Sequence, residues 1–146
     1  MNDKIEMPTI KGFSTGFYQL DQEEYEITVA CGGKEHKIVV HKGFTFDGAS
    51  IPRLLWRLCG HPFEVPRVAA GLVHDWLYAA RVTKRSTADA IYRAVLVEVG
   101  WGKARAWIEW TALRIFGWIA WRQSDASDRD HARNYGYHHA HAIKED

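Results

Sequence analysis

Ala69-Ala70-Gly71-Leu72-Val73-His74-Asp75-Trp76-Leu77-Tyr78-Ala79-Ala80-Arg81, followed after a short turn by Ser86-Thr87-Ala88-Asp89, decides how this chain is read. Pro66 suits the first turn of a helix, so the pattern predicts a helix from Pro66 to about Arg81. At about 100° per residue, Val68, Ala69, Leu72, Val73, Trp76, Leu77 and Ala80 share one half of it. The other half carries His74, Tyr78 and Arg81, with Asp75 at its edge and the small residues Ala70 and Gly71 alongside. His74 and Tyr78 stand one turn apart and stack on one strip.

A second helix supplies a partner for that strip. Ser86 is a good N-cap for a helix running to about Val99, which Gly100 ends. Asp89 lines up there with Tyr92, Leu96 and Val99, on the inward side. A buried carboxylate needs a partner, because an unpaired buried charge costs several kcal/mol. The loop from Val82 to Arg85 is short, so the helices should lie antiparallel and adjacent, with His74 in reach of Asp89. Two readings follow. The carboxylate fixes the imidazole's tautomer and strengthens it as a base. Alternatively, Asp89 closes a capping box with Ser86, or shares a buried hydrogen bond with His74, and no chemistry is attached.

The rest of the chain is arranged around this pair. Tyr25 to Val29 and Lys37 to His41 alternate as strands, and Gly32-Gly33 between them marks a hairpin. A weaker strand signal covers Gly16 to Leu20. Phe44 and Phe46 alternate as a short strand, Asp47-Gly48 turns, and Ser50 caps a short helix that Pro52 begins and Gly60 ends. Backbone amides gathered at that helix start, with Arg53 as a second donor, make a candidate anion site. A third long helix runs from about Lys103 to Trp121 and carries Trp107, Trp110, Trp118 and Trp121. Arg105 and Glu109 are spaced there as an i,i+4 pair. Its tryptophans are expected to roof the core; the other reading is an exposed belt for a membrane surface or protein partner. Four charges interrupt it, so it does not read as membrane-spanning.

The expected fold class is therefore α+β: a small N-terminal antiparallel β-hairpin or sheet followed by a bundle of three longer α-helices. Residues 1–122 read as a single globular domain, mainly β over 1–50 and mainly α over 51–122. Residues 123–146 read as a polar tail holding His131, His138, His139 and His141, solvated or docked on a partner rather than binding metal. With 146 residues, 47% hydrophobic and 25% charged, and a formal net charge of +1, the composition is that of an ordinary globular chain. Near-neutrality argues against a nucleic-acid partner. Cys31 and Cys59 lack metal-type spacing and read as free thiols in a reducing compartment. The first residues carry no apolar run suited to a signal peptide, so synthesis and retention in a cytoplasm are expected. No P-loop, dinucleotide fingerprint, zincin helix or nucleophile-elbow serine is present.

Two resemblances rest on these residues. Phe46-Asp47-Gly48-Ala49-Ser50-Ile51-Pro52-Arg53, Val73-His74-Asp75-Trp76-Leu77-Tyr78, Ala88-Asp89 and Ile115-Phe116-Gly117-Trp118 together resemble domain of unknown function family 1353, small phage and prophage proteins. That likeness spans about Phe44 to Trp121 and implies a tailed-phage context, made in the host cytoplasm and carried in the virion or accessory to it. More locally, His74-Asp75-x-x-Tyr78 with Asp89 on the next helix is similar to the core of phospholipase A2. The resemblance implies His74 as the base, Asp89 and Tyr78 as its supports, and Asp75 as a ligand for a divalent cation, calcium or zinc. The flanking cysteines and the glycine-rich calcium loop of that family are absent; on this resemblance the Asp47-Gly48 turn is the expected substitute for the loop, with Asp47 joining Asp75 as a cation ligand. The expected function is a His/Asp-dependent hydrolase acting on a lipid or cell-envelope substrate, with Arg53, Ser50 and Arg81 contacting its anionic group. The alternative is a non-enzymatic virion or tail component that docks onto other phage structural proteins, with the same cluster fixing helix register.

Overall fold

The computed structural model describes residues 5–14, 17–46 and 67–143. Three short strands, β1 (Ile10–Gly12), β2 (Tyr18–Leu20) and β5 (Thr45–Phe46), form an antiparallel sheet in the order β1-β2-β5. A second antiparallel sheet has the order β3-β4-β6, from β3 (Glu24–Cys31), β4 (Lys34–His41) and β6 (Gly136–Ala142). Gly32 and Gly33 take positive φ angles of 60° and 74° in the β3–β4 turn, where glycine meets no steric penalty. Burial along β3 alternates, with Tyr25, Ile27 and Val29 inward, as a strand with one covered face requires.

Four helices follow β5 among the described residues: α1 (Arg67–Ala80), α2 (Arg85–Glu98), α3 (Lys103–Gln123) and α4 (Ala126–Arg133). Leu72, Val73, Trp76 and Leu77 of α1 meet Ile91, Val95 and Leu96 of α2, and Ile38 and Val40 of β4 complete the core. α1 and α2 run antiparallel: Arg67, at the start of α1, reaches Tyr92 midway along α2, while Tyr78, near the end of α1, reaches Asp89 closer to the start of α2. α2 and α3 are likewise opposed, since Tyr92 meets Glu109 and Arg85 meets Leu113.

The fold is α+β, but it is not a hairpin followed by a three-helix bundle. Among the described residues, strands stand both before and after the helices, in two sheets rather than one, and a fourth helix precedes the last strand. The histidine-bearing stretch read as a polar tail supplies α4 and β6, which pairs with β4 along its length from Lys34↔Ala142 to Val40↔Gly136. Asp125 caps α4, and Asp128 completes the capping box. Three hydrogen bonds tie this segment to α1: the Trp76 indole donates to the Ala132 carbonyl at 2.9 Å, Arg133 donates to the Ala80 carbonyl at 2.9 Å, and the Ser124 hydroxyl donates to the Ala79 carbonyl at 3.2 Å. At Gly136 a Cβ would lie 2.2 Å from the Val39 carbonyl oxygen and 2.9 Å from the Trp76 ring, so only glycine fits.

α3 also differs from expectation. Its inward residues are Ala106, Glu109, Ala112, Leu113 and Gly117, whereas Trp107, Ile115, Phe116 and Trp118 face outward. Small side chains let α3 come close to its neighbours: a Cβ at Gly117 would sit 2.5 Å from the Tyr78 hydroxyl. The tryptophans of this helix therefore do not simply roof the core. Glu109 is not an exposed partner of Arg105 but a buried acceptor for Arg67, Tyr92 and Trp101.

Across β4 and β6, His36 and His138 stack and share a 2.9 Å contact between Nδ1 and Nε2. His36 Nε2 faces the Cys31 carbonyl, which can only accept, so in the neutral pair His138 Nε2 donates to His36 Nδ1. Burial, and then the neighbouring His36 and His139, push His138 down to about 4. The folded state thus binds fewer protons than the unfolded one between that value and an ordinary imidazole's, and stability falls as pH drops through this window. Thermal melts should show the midpoint falling between about pH 6.5 and 4, with a shallower fall in His138→Gln. Identical pH dependence in the two proteins would contradict this role for the pair.

Candidate functional site

α1 and α2 position the cluster that the sequence singled out. The i, i+4 spacing stacks His74 over Tyr78 on α1, ring centroids 4.1 Å apart, and both face Asp89 on α2. His74 Nε2 donates to Asp89 Oδ1 at 2.9 Å, and the Tyr78 hydroxyl donates to the same oxygen at 2.5 Å. The second oxygen, Oδ2, accepts from Arg114 of α3 at 2.8 Å and from Arg85 at 3.5 Å. Both carboxylate oxygens are therefore filled by donors from three helices. This is how a fully buried carboxylate remains charged.

The electrostatics follow from these contacts. Burial alone would raise the Asp89 carboxyl, but hydrogen bonds and charge from His74, with Tyr78 and Arg114, hold it below the usual carboxylate range. Burial alone would lower His74, yet Asp75 and Asp89 on its two sides hold the imidazole above its ordinary value. Tyr78 is pushed far up, by burial and then by the Asp89 charge, and stays a neutral donor. His74 Nδ1 lies 3.9 Å from Asp75 Oδ1, too long for a direct hydrogen bond.

Access is uneven. A cleft of about 370 Å³ is lined by Asp75 and Tyr78 from α1, Asp128 and His131 from α4, and the rings of Phe17, Phe44 and Phe46. His74 is only 1% exposed and Asp89 0%, so the cleft reaches the residues that flank the imidazole, Asp75 and Tyr78, rather than the imidazole itself. His131, read from sequence as part of a polar tail, lines this cleft together with Asp75.

The structure brings together His74, Tyr78, Asp75 and Asp89. It does not bring Arg81 to the cleft. Arg81 ends α1 at a φ of 49°, and its guanidinium lies 4.7 Å over the Trp121 ring and donates to the Trp121 carbonyl. Asp47, Ser50 and Arg53, with the helix expected to begin at Pro52, lie outside the described residues. Ser86 does not cap α2: the N-cap is Lys84, with no side-chain capping bond, so the capping-box account of Asp89 fails. Among the described residues, no three His, Cys, Asp or Glu side chains converge to hold a metal ion. Of the two carboxylates expected to hold calcium or zinc, Asp75 and Asp47, only Asp75 lies among the described residues.

Sequence reasoning missed the two arginines. Arg85 lies four residues before Asp89, a spacing that marks it as a partner; Arg114 carries no local signal. It missed a second buried network as well. Glu109 accepts from Arg67 at 3.0 Å, from the Tyr92 hydroxyl at 2.7 Å and from the Trp101 indole at 2.8 Å. The Tyr92 ring lies 5.0 Å from that of His74, edge-on, and so joins the two networks.

A family model described as a protein of unknown function, DUF1353, matches residues 24–113, more than half of the chain. No curated protein and no solved structure matches it. No helix among the described residues is long and apolar enough to cross a membrane.

Proposed function

The chain belongs to the DUF1353 family, whose function is unknown, and from that premise we propose a small hydrolase in which His74 is the general base. One observation carries the reading: Asp89 occupies Nε2 of His74, which leaves Nδ1 turned toward Asp75 on the cleft wall. In the neutral imidazole the Nε2 proton is fixed by Asp89, so Nδ1 holds the lone pair. The step requires the Asp75–Tyr78 wall of the cleft to open and admit a water, which gives a proton to Nδ1 as its oxygen attacks an ester carbonyl. The imidazolium, stabilised by Asp89, then returns that proton to the departing alkoxide. Tyr78, on the same carboxylate oxygen, keeps Asp89 aimed at the ring. Arg114 and Arg85 prevent Asp89 from claiming the proton.

The substrate class proposed is an ester of a lipid or of the bacterial cell envelope, in the phage setting that the sequence resemblance implies. Incubating the full chain with vesicles of bacterial phospholipid and measuring released fatty acid tests it. His74→Gln should lower turnover at least a hundredfold while circular dichroism stays at its wild-type form. Because Asp75 and Asp89 hold the imidazole above its ordinary value, activity should rise with pH and reach half its maximum above about 6.5. Absence of any release by the wild type, or undiminished release by His74→Gln, would overturn the proposal. The burial of His74 and Asp89 favours a second reading, a non-enzymatic phage component whose cluster clamps three helices. It requires that wild-type turnover be absent and that substitutions in the cluster change stability alone.

A further inference from the structure

Six large apolar side chains of α3, Trp107, Ile108, Ile115, Phe116, Trp118 and Ile119, are between 37% and 56% exposed. At about 100° per residue, all but Phe116 fall within one third of the helix circumference, in a stripe running most of its length. Exposed apolar patches of this kind mark docking sites on otherwise folded proteins. We propose that α3 seats this stripe on a bilayer surface containing anionic phospholipid.

Charge chooses the occupant. Lys103, Arg105 and Arg122 are exposed on α3, and Arg114 is half-buried. Glu109, the one acidic residue of the helix, is turned into the core against Arg67. Every exposed charge on α3 is therefore positive, with Lys103 at one end and Arg122 at the other. Arg122 lies 5.2 Å over the Trp118 ring, a tryptophan–cation pair whose apolar and charged parts suit the headgroup level. The long basic side chains can snorkel to phosphate while the ring bodies enter the acyl boundary. α3 has 21 residues but is not apolar enough to cross the bilayer, so it lies on the surface rather than spanning it. An apolar protein partner would leave these cations without counter-charge; phosphate headgroups supply it.

The inference does not depend on turnover, though it names the surface at which a lipid ester would be met. Flotation of the full chain with phosphatidylglycerol vesicles, compared with phosphatidylcholine vesicles, tests it. At least tenfold stronger partition onto the anionic vesicles is expected, with a blue shift of tryptophan emission. Trp107→Ser with Trp118→Ser, and separately Lys103→Glu with Arg122→Glu, should each reduce that partition at least tenfold. These side chains are exposed, so both variants should melt as the wild type does, which separates lost docking from lost fold. His74→Gln should float unchanged, so a failed hydrolase reading leaves this one standing. Equal partition onto both lipids, or variants that float as the wild type, would overturn it. So would self-association abolished by the tryptophan substitutions without any flotation, which would make a second copy the occupant.

Discussion

Asp89→Ala is expected to lower the free energy of unfolding by about 3–5 kcal/mol, measured by urea denaturation at neutral pH. The residue is 0% exposed and accepts from His74, Tyr78 and Arg114, with Arg85 beside it. Alanine leaves the buried imidazole Nε2–H and a tyrosine hydroxyl in the core without their acceptor. The two arginines are part-exposed and can turn to water, which keeps the loss below a full four-partner sum. Asp89→Asn keeps one acceptor oxygen but loses the charge, and should fall between the two proteins. The dependence on pH has two signs. The Asp89 carboxyl is held below its ordinary value, so its contribution is present above the ordinary carboxylate range and is lost as pH falls through the folded value. His74 is held above its ordinary value, so its contribution is present below that value and is lost as pH rises through the folded one. The difference between wild type and Asp89→Ala should therefore be greatest between these limits. A loss under 1 kcal/mol there would contradict the role assigned to the cluster.

Glu109→Ala should cost a similar amount, about 3–5 kcal/mol, by a separate route. Glu109 and Arg67 are each 1% exposed, and the carboxylate also takes the Tyr92 and Trp101 donors. Removal takes the Glu109 carboxylate from the buried Arg67 guanidinium and the acceptor from two aromatic donors. Arg67→Met combined with Glu109→Leu removes both charges at nearly constant volume and should recover a large part of the loss. A double variant no more stable than Glu109→Ala would mean that packing, not the buried charge, sets the effect. Combining Glu109→Ala with Asp89→Ala should give less than the sum of the two losses. Tyr92 touches both networks, through its hydroxyl to Glu109 and its ring to His74, and residues coupled through a shared neighbour are not additive.

The paired helices were legible because their signals are local. Helical spacing puts His74, Tyr78 and Asp89 on facing strips, and a loop of a few residues admits one antiparallel arrangement. The β3–β4 hairpin was legible from Gly32-Gly33 and the alternation on either side. β6 was not. Gly-Tyr-His-His-Ala-His-Ala holds no β-branched residue, and it is a strand because β4 offers a free edge and Trp76 a cradle for Gly136. α3 misled for a different reason. Counting large apolar residues points its tryptophans inward, yet close approach to Tyr78 and Arg85 selects the alanine and glycine face. Arg114 enters the site by side-chain length from a helix remote in sequence, and nothing near it in the chain announces the contact.

The pairing of Lys34 with Ala142 also sets the order in which this protein can be made. The hairpin of β3 and β4 is translated before β6, so the outer edge of β4 stays bare until residue 142 has cleared the ribosome. Through that interval a nascent chain displays a row of unsatisfied amides and carbonyls to its neighbours on the polysome. Polar side chains at His36 and Lys37 near that edge, and the late arrival of a histidine-rich strand, then bear on yield and on aggregation during synthesis as much as on the finished fold.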